Sequence, residues 1–126
     1  MEPGTIPQIQ HQDHQEWLKE VDFYLEQIGI FQVELELVAS QSLEYLSNLE
    51  HVEEYRSILL KKTGTLNEIK EQITLHEKVI AEQISVNKTT IWDHLEVKKR
   101  LTDFVNEFDE FKKSFRKFVA HQVKIK

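Results

Sequence analysis

The chain predicts an all-α fold, an up-down-up bundle of three long helices. Apolar residues recur along most of it at alternating spacings of three and four, the a/d pattern of helices packed lengthwise against helices. Turn residues are scarce: three glycines and two prolines in 126 residues, with Pro3 and Pro7 both at the amino end. A β-rich chain needs more of them. The segments between the seams are short, which makes consecutive helices antiparallel neighbours.

Residues 1–11 are expected to form a flexible N-terminal segment, leaving 12–126 as a single helical-bundle domain. Helix 1 is predicted over about 13–39 by the seam Trp17, Val21, Tyr24, Ile28, Phe31, Leu35, Val38. Ser40-Gln41-Ser42 then breaks the chain, with Ser42 suited to cap the next helix. Helix 2 is predicted over about 43–85 by the heptad row Tyr45, Val52, Leu59, Leu66, Ile73, Ile80. Val86-Asn87-Lys88 turns the chain, Thr89 or Thr90 caps, and helix 3 runs over about 90–122 on Leu101, Phe104, Phe108, Phe111, Phe115, Phe118.

Gly64 divides two readings of helix 2. Lys61-Lys62-Thr63-Gly64 resembles a helix end, with cations in the last turn and glycine beyond it. Thr65-Leu66-Asn67-Glu68 matches a capping box. A break there gives a four-helix bundle. The heptad phase passes through Gly64 without a slip, which a turn would have no reason to preserve, so one long helix, with a bend allowed at Gly64, is the preferred reading.

At 1.5 Å per residue the helices measure ~40, ~64 and ~50 Å. Helix 1 then leaves uncovered the end of the hairpin holding Ile73, Ile80, Ile84, Trp92, Leu95 and Val97, for the N-terminal segment or a second subunit to cover. Helix 1 also carries a second apolar row, Phe23, Ile30 and Leu37 with Val33 beside it. An apolar row opposite the core seam marks an interaction face, which predicts a homodimer or a helical protein partner.

Charge is graded along the chain. Residues 1–43 hold eight acids and one base, and residues 89–126 six acids and nine bases, within a net charge of −6. Opposite charges beside a seam help choose partners, so acidic helix 1 is expected beside the basic end of helix 3. An acidic chain makes a poor general nucleic-acid binder. No run approaches the ~20 apolar residues of a membrane span, and Met1–Pro7 lacks the features of a secretion signal. The expectation is a cytoplasmic protein with no nucleic-acid partner and no membrane insertion. Cysteine is absent, which excludes disulfide and thiolate chemistry.

Six histidines raise the question of a metal. Bundles that hold paired metal ions use Glu-x-x-His on facing helices; here Gln8, His11, Asn48, Ile73, Ile91 and Phe118 stand three before the six histidines. His-Glu-x-x-His is also missing. His14, His76 and His94 lie on or near the seams. Pairing measured from the turns, however, sets His14 level with about Glu68, His76 with about Lys99 and His94 with about Ala81. That leaves His76 and His94 ~7 Å apart along the axis and His14 ~12 Å further off. The metal candidate this arithmetic favours is His51, Glu54 and His121, two imidazoles and a carboxylate at one level.

Serines and threonines cluster at helix ends, where capping explains them, and no glycine-rich loop can cradle a phosphate. No catalytic constellation emerges, so no enzyme and no cofactor are expected. The phenylalanine row of helix 3 reads as core, although such a row can line a lipid- or haem-shaped cavity. Lys112, Lys113, Arg116, Lys117, Lys124 and Lys126 form a basic tail, readable as an amphipathic surface helix.

The stretch His14-Gln15-Glu16-Trp17-Leu18-Lys19-Glu20-Val21-Asp22-Phe23-Tyr24-Leu25-Glu26, followed by His51-Val52-Glu53-Glu54-Tyr55 and Leu75-His76-Glu77, resembles small all-helical proteins of unknown function from Bacteroidetes-type bacteria. The resemblance implies a bacterial cytoplasmic helical protein and carries no residue-level function. The expected role is a non-enzymatic helical bundle acting by self-association or as an adaptor, through Phe23, Ile30, Val33 and Leu37. The alternatives are a metal- or small-ligand-binding bundle, and peripheral membrane or nucleic-acid attachment through the basic C-terminal helix.

Overall fold

A computed structural model describes the backbone of residues 6–41, 45–82 and 88–124, and the side chains of 9–41, 48–78 and 94–122. Three helices account for it: α1 (Ile6–Gln41), α2 (Tyr45–Glu82) and α3 (Lys88–Lys124), with no strand among the described residues. Tyr24 packs on Phe104 and Phe31 on Phe111, so α1 and α3 run parallel. Asn48 bonds Gln122 and Tyr55 meets Phe115, so α2 runs antiparallel to α3. This is the predicted up-down-up bundle.

The a/d periodicity forms the core. Val21, Ile28, Phe31 and Leu35 of α1, Val52, Leu59, Leu66 and Ile73 of α2, and Leu101, Phe104, Phe108 and Phe115 of α3 are buried together. Phe31 stacks on Phe108 at 5.8 Å and on Phe115 at 4.9 Å between ring centroids. The phenylalanine row is therefore packing, and the apolar face of the basic C-terminal segment lies in it, with Phe111, Phe118 and Val119 set partly buried against the core. No described helix is long and apolar enough to cross a membrane.

Two expectations are corrected. First, α1 starts at Ile6, so residues 6–11, expected as part of a flexible lead, are its opening turns. Second, the helices are nearly equal, at 36, 38 and 37 residues, so α1 spans the end of the hairpin that a shorter helix would have left bare. Ile73 and Val97 are buried there, whereas Leu95 is exposed. Ile84 lies outside the described residues, and Ile80 and Trp92 outside the described side chains. The expected caps fall the same way: Ser42 and the turn at Val86 and Asn87 lie outside the described residues, and Thr89 and Thr90 outside the described side chains.

The preferred reading of one long helix 2 holds: α2 runs unbroken through Gly64, which removes the four-helix alternative. The hydroxyl of Thr65, expected to cap a new helix, donates instead to the Lys61 carbonyl one turn back at 3.1 Å, and Thr63 donates to Leu59 at 3.0 Å. Both are bonds of a helix interior.

The lysine and arginine partners of α1's acids come from α2. Arg56 binds both oxygens of Glu36, at 2.6 and 2.7 Å, and Lys70 reaches Asp22 at 3.3 Å. Helix 1 does lie beside the basic end of helix 3, where Arg116 sits over the Phe31 ring, but the ion pairs made by its acids Glu36 and Asp22 go to α2.

Candidate metal centre

One histidine from each helix meets at the end of the bundle where α1 and α3 begin and α2 finishes. His14, His76 and His94 are 0%, 5% and 8% exposed. Their ring centroids lie 4.9 Å apart for His14–His76, 5.2 Å for His14–His94 and 5.8 Å for His76–His94. One ring nitrogen from each lies within 4.8 Å of the other two. The expectation that these three fail to converge is overturned.

The reason is a sliding of register. Asn48–Gln122, Tyr55–Phe115 and His76–His94 share one antiparallel pairing, about five residues from the one measured off the turn. Five residues is ~7.5 Å of axial travel, the whole of the gap expected between His76 and His94. On the other side, Glu36–Arg56, Asp22–Lys70 and His14–Glu77 share a second register, which brings His14 to His76 instead of Glu68. The same slide takes His121 away from Glu54 toward the level of Leu49. His51, Glu54 and His121 are all exposed, and among the described residues it is His14, His76 and His94, not these three, whose ligand atoms lie within 4.8 Å of one another.

Two carboxylates orient the cluster. His14 Nδ1 lies 2.9 Å from Glu77 Oε2, while His11 Nδ1 lies 2.5 Å from Glu77 Oε1. His94 Nε2 lies 3.0 Å from Asp13 Oδ2. An ionised carboxylate only accepts, so the proton of each neutral imidazole sits on the nitrogen facing its acid. His14 Nε2 and His94 Nδ1 then turn lone pairs toward each other across 3.3 Å. That arrangement is repulsive unless a proton or a cation stands between them. Zinc–nitrogen bonds of about 2.0–2.1 Å at the tetrahedral angle separate two nitrogens by ~3.3 Å.

Protonation suits ligation. Burial holds the His14 imidazolium below the ordinary histidine range, outweighing the attraction of Glu77 and leaving the neutral, ligating form. Burial pushes the Glu77 carboxyl up, but its bonds from His11 and His14 pull it down further, so it stays ionised. Trp17 walls one side, its ring 4.7 Å from that of His94 and 5.5 Å from that of His14. Gln10, one turn before His14, is buried, and its Oε1 has no hydrogen-bond partner among the described residues.

Acids next to histidines on the seams, Asp13-His14 and His76-Glu77, are the signal that sequence reasoning left unused. Carboxylate–imidazole pairs are the usual outer shell of a histidine-ligated metal. The expected interface residues lie on the solvent side of α1, from 47% exposed at Ile30 to 61% at Val33, with Phe23 and Leu37 between. Comparison with protein-family models, curated proteins and solved structures finds no match. Fold and site together define a three-helix bundle with a buried tri-histidine cluster in a carboxylate shell.

Proposed function

We propose that this protein is a metal-binding helical bundle that holds one divalent transition ion, Zn2+ or a close analogue, on His14, His76 and His94. The observation that carries the reading is the convergence of three buried imidazoles, with His14 Nε2 and His94 Nδ1 3.3 Å apart and each of these two rings held from its far side by a carboxylate. Imidazole suits Zn, Cu, Fe and Ni, whereas Mg and Ca prefer all-oxygen shells. One ligand per helix makes the ion a clamp on three elements at once.

Metal analysis of the untagged protein tests it. After loading with Zn2+ and removal of excess, one equivalent per chain is expected; His14→Ala and His76→Ala lose it, and His51→Ala keeps it. Loss on His51→Ala with retention on His14→Ala would refute the assignment.

A second reading is self-association, or docking of a helical partner, through α1. It is supported by the exposure of Phe23, Ile30, Val33 and Leu37 along one face, where isolated apolar residues are ordinary but a continuous row is not. Light scattering across a concentration series tests it. A dimer that becomes a folded monomer on Phe23→Glu with Ile30→Glu supports the reading, and a wild-type monomer at all concentrations removes self-association.

A further inference from the structure

We infer that the ion's fourth coordination position is left to an exogenous ligand, a water molecule or a small monodentate anion. The inference rests on the metal reading above and concerns what the bound ion presents. A tetrahedral ion on three imidazoles needs one more donor. Among the described residues, the carboxylates bonded to the cluster, Glu77 and Asp13, are already engaged on its outer side. Both oxygens of Glu77 receive imidazole nitrogens, from His11 and His14, and Asp13 Oδ2 receives His94. Turning either acid inward would strip a histidine of the partner that sets its tautomer.

The cluster that converges among the described histidines and acids is imidazole only. Three neutral imidazoles leave the full double positive charge on the ion, which draws an anion or polarises a water. Structural zinc sites close all four positions with protein donors, whereas a three-histidine set with a non-protein fourth ligand is the pattern of ions that do exchange chemistry. Among the described residues, the neutral competitor is the buried carboxamide of Gln10, whose Oε1 has no hydrogen-bond partner there.

Cobalt(II) substitution tests the position directly. The wild-type chain is loaded with one equivalent of Co2+, its visible d–d bands are recorded, and azide or thiocyanate is titrated in. The expected result is an intense tetrahedral spectrum whose bands shift with saturation as the anion replaces water. Stoichiometric Co2+ binding with bands that ignore the anion overturns the inference while leaving the metal reading standing. An anion response that appears only in Gln10→Ala overturns it too and makes the carboxamide the fourth ligand. Failure to bind Co2+ or Zn2+ at all removes the metal reading itself.

Discussion

Glu77 holds the site without belonging to the ligand set. Its carboxylate joins His11 and His14, and through His14 it decides which nitrogen faces the other imidazoles. Glu77→Gln keeps the size, but its amide can accept through one oxygen only, so one of the two histidines loses its acceptor. Removal of such outer-shell partners costs about 10–100-fold in metal affinity. That loss is expected for Zn2+ in competition with a chromophoric chelator, and unchanged affinity would show that Glu77 does not position the ligand. In the metal-free protein the same residues set the acid limit. Burial lowers the folded-state affinity of His14 for its proton, so the unfolded chain binds more protons as pH drops through 6.5, the unperturbed histidine value. Stability therefore falls on acidification from about that point until the folded imidazole also titrates. Glu77, whose folded carboxyl is pulled down, contributes stability present above its ordinary 4.5 and lost as pH falls through the lower folded value. Melting temperature against pH, with chelator present, is expected to show both stages, the first absent in His14→Asn. The burial of individual seam residues, Val21 or Leu59 for example, was legible beforehand because periodicity is a property of one helix. That His14, His76 and His94 meet was not, because it depends on the axial offset between helices.

At the scale of the element, α2 is the informative case. Two local signals around Gly64, cations before it and a capping box after it, argued for an end, and one longer-range signal, the unbroken heptad row, argued against. The longer-range signal prevails because burying Leu59, Leu66 and Ile73 on one face gains more than a cap, worth ~1 kcal/mol. Gly64 is left exposed in the middle of a helix, and a Cβ built on it meets nothing within 4 Å. Gly64→Ala is therefore expected to stabilise the protein by about 1 kcal/mol, through helix propensity and a less free unfolded chain, measured by urea unfolding. A glycine ending a helix in the left-handed conformation would give the opposite sign. The offset between α2 and α3 was misjudged by about five residues, and that between α1 and α2 by about nine, because the turns were taken to set them. The pairings Glu36–Arg56 and Asn48–Gln122 show that side-chain fit along the seams sets them instead.

Across the whole molecule, an ion on His14, His76 and His94 links α1, α2 and α3 at one end, while the phenylalanine stack on Phe31 holds them through the middle. Such an ion binds only where all three helices are assembled, since the ligands lie more than sixty residues apart along the chain from His14 to His76 and arrive on separate elements. Its binding energy is therefore folding energy. At free Zn2+ about 100-fold above the dissociation constant, linkage adds about 2.7 kcal/mol. For a domain of this size each kcal/mol moves the melting temperature by roughly 3–5 °C, so Zn2+ is expected to raise it by about 10 °C. His14→Ala should abolish the rise, and His121→Ala should leave it intact. Mg2+ at the same concentration should do nothing, because it prefers oxygen donors in octahedral array. A rise of equal size with Mg2+, or one that survives His14→Ala, would place the stabilising ion on the acidic surface and not among the histidines.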